Sequence, residues 1–125
     1  MLGADTIVCL DAVRLGKPAN EAEARHMLEA LQNRLHEVLT GVAICVAGDS
    51  TCVSDFVRTQ VWFGAIPEDD LVACLKTPEP YDKAGAYGIQ GWAGQYITRI
   101  EGDYNNVVGL PVARVLEMLG EVEKR

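Results

Sequence analysis

Residues 53–63 alternate with a period of two, and that pattern constrains the fold more than any other stretch of the chain. Val57, Thr59, Val61 and Phe63 fall on one side, Arg58 and Gln60 on the other. A strand divided in this way has one covered face and one wetter face, and it requires a partner strand. The apolar run at 42–47 supplies one, with Gly48-Asp49-Ser50-Thr51 between them as turn chemistry, so the two are expected to pair as a hairpin.

Other segments extend this start. Residues 3–10, Gly-Ala-Asp-Thr-Ile-Val-Cys-Leu, form a short, nearly continuous apolar run with one acid. Such a run is expected to be a central strand covered on both faces. Leu15-Gly16-Lys17-Pro18 breaks the pattern. Asn20 then offers an N-cap with Glu23 three residues on. Ala24, Met27, Leu28, Leu31 and Leu35 follow at helical spacing, with His26, Glu29 and Asn33 on the other side. Pro67 opens a short helix carrying Leu71, Val72 and Leu75. An irregular glycine-rich stretch covers 77–94, and a strand is expected near 96–100. Pro111 opens a last helix with Val112, Val115, Leu116 and Leu119 as its stripe.

The class implied is α/β, a mixed central sheet flanked by helices, in one domain over residues 1–125. Leu28, Leu31, Leu35, Val42, Ile44 and Val46 are the expected core. The first strand begins almost at residue 1 and few strands remain to flank it. Its edge is therefore expected to be covered by another chain or by a segment this sequence does not contain.

Composition excludes some partners. The formal net charge of −7 opposes nonspecific binding to nucleic-acid backbones or anionic lipid, although a local group of lysines can still hold a small anion. No apolar run reaches the ~18 residues of a membrane span, and no signal peptide is expected at the N-terminus. Four cysteines, Cys9, Cys45, Cys52 and Cys74, form no C-x-x-C pair. Three sit within apolar stretches, so the expectation is free buried thiols in a reducing cytoplasm.

The candidate chemistry is polar and scattered. Asp5, within an apolar strand, reads either as a carboxylate that meets a metal, a cation or backbone N–H groups, or as a turn cap beside Gly3. Thr6 alone carries no signal. Lys17, between Gly16 and Pro18, is presented from a stiff loop as a point charge suited to phosphate, or is simply solvated. Residues 81–94 carry Lys83 and glycines at 85, 88, 91 and 94, and such loops cradle phosphates or merely turn. There is no Walker spacing and no G-x-S-x-G. Gln90 has both a donor and acceptors, which match the O4/N3–H edge of uracil or thymine. Glu101 and Asp103 form a second polar cluster that reads as metal-assisting acids or as a solvated turn. His26 and His36 lack metal-ligand spacing; His26 reads as a helix-surface residue, and His36 takes no role.

Taken in order, several stretches resemble the Maf-like family, also called septum-formation inhibitor Maf. They are Gly3-Ala4-Asp5-Thr6, Leu15-Gly16-Lys17-Pro18, His36-Glu37-Val38-Leu39-Thr40-Gly41, Asp82-Lys83-Ala84-Gly85-Ala86-Tyr87-Gly88-Ile89-Gln90-Gly91, and the run from Ile100 to Pro111. The resemblance implies a cytoplasmic, metal-dependent nucleoside triphosphate pyrophosphatase of the dTTP/UTP branch with a Maf/ITPase-like fold. It would use Mg²⁺ or Mn²⁺, act on a small-molecule nucleotide rather than a polymer or membrane, and form a homodimer. Asp5 matches the family's general base and a metal ligand. Lys17 matches its substrate lysine, and Thr6 and Gln90 match positions tied to base preference. Lys83, in a family motif, is a phosphate partner. The methylated-guanine branch carries an acid where Gln90 stands.

Nothing in the chain corresponds to the family's N-terminal S-x-S-P-R-R segment, whose arginines would clamp the triphosphate. The resemblance therefore implies an N-terminally truncated form. Three readings follow: an active pyrophosphatase, a catalytically impaired nucleotide-binding or structural remnant, and an unrelated α/β interaction module.

Overall fold

A computed structural model describes residues 2–46, 48 and 52–123. The chain begins with β1 (Leu2–Leu10) and β2 (Val13–Leu15), followed by α1 (Glu21–Leu31). β3 (Leu35–Cys45) and β4 (Cys52–Phe63) come next, then α2 (Glu68–Leu75). Three short 3₁₀ turns at Glu79–Asp82, Ala84–Ala86 and Trp92–Tyr96 lead into β5 (Ile97–Glu101), α3 (Tyr104–Val108) and α4 (Val112–Glu123).

The strands form one sheet in the order β2-β1-β3-β4-β5. The α/β class with a central sheet and flanking helices is as expected, but all four pairings are antiparallel where a mixed sheet was expected. For β1–β2 and β3–β4 the cause is connection length: two and six residues separate the strands, and a parallel pair needs a crossover of a dozen residues or more. The expected turn at 48–51 lies outside the described residues except for Gly48, which has a φ of 78°.

Register assigns the faces. Thr6 lies opposite Thr40 and Thr40 opposite Val57; Val8 lies opposite Val38 and Val38 opposite Thr59. Residues opposite one another point to the same side, so Val8, Leu10, His36, Val38, Val42, Ile44, Val61 and Phe63 share one face. Every one of them is buried. α1 and α2 cover its β2 end through Ala24, Met27, Leu28, Leu31, Leu71 and Leu75. α4 covers the far end, packing Val115 and Met118 on Val42, Ile44 and Val53.

The other face, carrying Asp5, Ile7, Leu39, Gly41, Phe56 and Arg58, has no helix on it among the described residues, and none of these side chains is buried. The expectation that β1 is covered on both faces therefore fails. β1 is apolar on both sides, but only its even-numbered residues from Val8 onward are buried. Its outer edge pairs with β2 only over Val8–Leu10, so Leu2–Ile7 have a strand partner among the described residues on the β3 side alone.

Other expectations are corrected locally. α1 starts as read: Asn20 Oδ1 accepts from the Glu23 N–H at 2.9 Å. It stops at Leu31 because Asn33 enters the left-handed region (φ 57°) and its N–H turns to Gly64 O. Leu35 therefore belongs to β3, not to the helix, and is exposed, as is Val46. On α4 the stripe is displaced. Val115 and Met118 are buried, while Val112, Leu116 and Leu119 face outward.

The cysteines divide. Cys9 and Cys74 are free, but Cys45 and Cys52, also expected to be free thiols, are joined in a disulfide across seven residues. The β3–β4 register sets them opposite each other with Cα atoms 4.2 Å apart, a proximity that spacing alone does not reveal. Among the described residues no helix is long and apolar enough to cross a membrane.

Candidate functional site

A cleft of about 440 Å³ opens on the helix side of β1. Val8 and Val38 make an apolar floor. Thr6 and Lys17 stand on one side, Val107–Gly109 on another, and the loop from Glu79 to Gly91 closes the third.

Each wall has a local cause. Lys17 follows β2, where the sheet ends, and Gly16 O accepts from the Gly85 N–H at 3.1 Å, tying the lysine's segment to the glycine loop. Gly85 has a φ of 72°, and a Cβ there would sit 3.0 Å from a Val8 methyl, so only glycine lets the loop lie on the floor. Ala86 beside it also has a positive φ, 69°, so this turn holds backbone strain next to the cleft. The opposite wall is fixed by α3. Asn106, fully buried, shares its two Nδ2 hydrogens among Val38 O (3.1 Å), Val57 O (2.9 Å) and Thr59 Oγ1 (3.0 Å). Those acceptors define the amide orientation, because the flipped form would set Oδ1 against two carbonyls. Thr6 Oγ1 donates to Gly109 O at 3.2 Å and lies 2.9 Å from Thr40 Oγ1, joining β1 to the same wall.

Glu79 sets the third wall. Its carboxylate accepts from the Trp92 N–H at 3.2 and 3.3 Å, and a Cβ on Gly91 would lie 1.4 Å from its Oε1. The carboxylate occupies the space above Gly91 and so pins the segment that carries Gln90. Deeper in, Tyr87 and the buried His36 share a 2.6 Å hydrogen bond. Burial pulls the His36 pKa down to about 4 and raises that of Tyr87.

Of the residues read from sequence, Thr6, Lys17, Lys83 and Gln90 meet in this cleft. Asp5 does not line it. Side chains alternate along a strand, so Asp5 leaves β1 on the face opposite Thr6 and borders a shallow hollow with Gly3, Gly41, Ala43 and Ser54. Its carboxylate has no ion-pair or hydrogen-bond partner among the described residues. Carboxylate oxygens suit a hard divalent cation. Among the described residues no group of three or more His, Cys, Asp or Glu could hold one, so a cation at Asp5 would complete its shell with water or phosphate oxygens. Glu101 is exposed and paired with Arg99, and Asp103 caps α3 by accepting from the Asn105 N–H, as a solvated turn would have it. Sequence reading missed Glu79, Tyr87 and Asn106. Glu79 lies in a proline-rich segment, and Tyr87 and Asn106 lie within family-like stretches, but the part each plays depends on a distant partner.

A family model described as Maf-like protein matches residues 1–122. The chain belongs to the Maf-like family. Among relatives of this Maf-like chain, a protein named dTTP/UTP pyrophosphatase from Bacillus cereus (strain AH187) is 50% identical over 119 residues, covering 95% of this chain and 61% of the relative. One of the same name from Bacillus thuringiensis subsp. konkukian (strain 97-27) gives the same figures. Another, from Bacillus mycoides (strain KBAB4), is 47% identical over 123 residues, covering 98% of this chain and 63% of the relative. The chain thus spans about three fifths of the length of the curated relatives it matches.

Proposed function

We propose that this Maf-like chain acts on nucleoside triphosphates as a pyrophosphatase, hydrolysing dTTP or UTP to the monophosphate and pyrophosphate. The observation that carries the reading is the meeting of Lys17 with Lys83 and Gln90 of a loop remote from it in sequence, around one cleft with an apolar floor. The names of the relatives point the same way.

Each residue has a part that its chemistry allows. Gln90 donates to a pyrimidine O4 and accepts from N3–H, a pairing that an acid in its place would not complete. Lys17 and Lys83 are exposed ammonium groups that neutralise phosphate oxygens and the charge developing on the departing pyrophosphate. Thr6 also lines the cleft, at a position that the family resemblance ties to base preference. The Asp5 carboxylate takes the proton of the attacking water as oxygen bonds to the α-phosphorus and the bond to the bridging oxygen breaks. A Mg²⁺ or Mn²⁺ ion held by Asp5 would supply further neutralisation of phosphate charge. A cytoplasmic location and a homodimeric state go with this reading.

The second reading is nucleotide binding without turnover. It is favoured by one observation, the departure of the Asp5 side chain on the face away from the cleft. The test is pyrophosphate release from UTP and dTTP with Mg²⁺ or Mn²⁺, for the wild type and Asp5→Asn. Turnover abolished by the substitution supports the first reading. Turnover that survives it removes Asp5 from the chemistry. Saturable UTP binding with no release from the wild type establishes the second.

A further inference from the structure

Tyr87 lines the cleft and reaches the buried His36, which does not line it. A neutral imidazole and a phenol together carry two polar hydrogens. The low pKa of His36 keeps the imidazole neutral above about pH 4. The bond between His36 Nε2 and Tyr87 Oη uses one of the two hydrogens. The other sits either on His36 Nδ1 or on the tyrosine hydroxyl.

Nδ1 is buried and has no hydrogen-bond partner. The Phe63 ring does not substitute for one. It stacks on the imidazole at 21°, so an in-plane N–H runs alongside that ring rather than into its face. Orphaned buried N–H groups are rarer than orphaned acceptors, so the bare lone pair belongs on Nδ1 and the hydrogen on Nε2. Nε2–H then donates to Tyr87 Oη, and the hydroxyl hydrogen must find another acceptor. Tyr87 is only 6% exposed, yet it lines the cleft beside Val8 and Val38. It has no other hydrogen-bond partner among the described residues.

We propose that His36 holds the Nε2–H tautomer and that Tyr87 therefore donates its hydroxyl hydrogen to an oxygen of the nucleoside seated in the cleft. The apolar floor suits an uncharged ring, whereas the exposed lysines at the rim suit phosphates, so the acceptor belongs to the base or sugar. This rests on the nucleotide reading above.

Two measurements on the full chain test it. The first is the pair of His36 ring ¹⁵N shifts by long-range ¹H–¹⁵N NMR at neutral pH. An Nε2–H pattern is expected, and an Nδ1–H pattern overturns the proposal whether or not nucleotides bind. The second is calorimetric titration of wild type and Tyr87→Phe with UTP and with inorganic triphosphate. The expected result is about a tenfold loss of UTP affinity, with triphosphate affinity unchanged. Equal UTP affinity in a folded Tyr87→Phe overturns the proposal and leaves the nucleotide reading intact. Absence of UTP binding by the wild type overturns the nucleotide reading, and the tautomer alone then decides whether the Tyr87 hydrogen points away from His36. If Tyr87→Phe does not fold, the tautomer again decides.

Discussion

At the scale of single residues, the space over Gly91 is taken by the Glu79 carboxylate. A methyl there would overlap the Glu79 carboxylate, and the Trp92 N–H would lose its acceptor. At Gly88, three residues away, a Cβ would meet the flexible Lys83 stem at 3.4 Å, which can yield. Gly91→Ala should therefore cost about 1–3 kcal/mol and weaken UTP binding by displacing Gln90, while Gly88→Ala should be the milder change. Thermal unfolding and UTP titration of the two variants check this, and the reverse order would remove Glu79 as the loop's anchor. His36 supplies a pH prediction. Its folded pKa of about 4 lies below the ordinary 6.5, so the unfolded chain binds the extra proton first. Stability is thus unaffected above pH 6.5, falls as pH drops from 6.5 to 4, and has lost about 3 kcal/mol from this group below that. Urea unfolding at pH 7 and pH 4.5 should show a smaller acid loss in His36→Phe than in the wild type. Lys17, Lys83 and Gln90 were singled out through the family resemblance, since in themselves loop lysines read as well as solvated groups, and the structure brings all three to one cleft. Glu79 and His36 were not, since each acts through a partner 13 or 51 residues away.

At the scale of elements, periodic segments could be read and their ends could not. The alternation in β4 and the apolar spacing in α1 reported burial directly, because each element has one covered side. The end of α1 was set by the left-handed Asn33, and the Cys45–Cys52 bond by strand register, and neither leaves a periodic trace. The same blindness applies to the β1–β2 turn, where Asp11 and Ala12 have φ values of 51° and 64°. That is the two-residue turn suited to a twisted hairpin, and alanine is a poor occupant of its second position. Ala12→Gly should raise stability by about 0.5–1 kcal/mol, read as a higher urea midpoint at unchanged m-value. α3 makes the opposite case. It has five residues, too few to hold by itself, and depends on the Asn106 side chain reaching two strands. Asn106→Ala would leave Val38 O and Val57 O without that donor and open a cavity. A loss of about 2–4 kcal/mol in urea unfolding is expected, and a loss under 1 kcal/mol would mean that α3 is held some other way.

At the scale of the whole molecule, the described residues build two layers, helices over one sheet face and nothing over the other. This was the least legible feature, because β1 carries Ile7 and Cys9 on the open side and Val8 and Leu10 on the covered one. Composition does not distinguish a strand with two apolar faces from one that is buried on both. Phe56 lies in the same cross-strand row as Asp5 and Gly41, at the middle of the open face, and is 59% exposed. Leu28 is fully buried under the opposite face. If the open face meets only water, Phe56→Ser removes little buried area and should change unfolding free energy by no more than about 0.5 kcal/mol. Leu28→Ala, which removes a packed side chain and leaves a cavity, should cost about 2–5 kcal/mol. Urea unfolding of both variants at two protein concentrations decides the matter. A Phe56→Ser loss approaching that of Leu28→Ala would mean the face is covered in solution. A midpoint that also rises with protein concentration would identify the cover as a second copy, because only association makes stability depend on concentration.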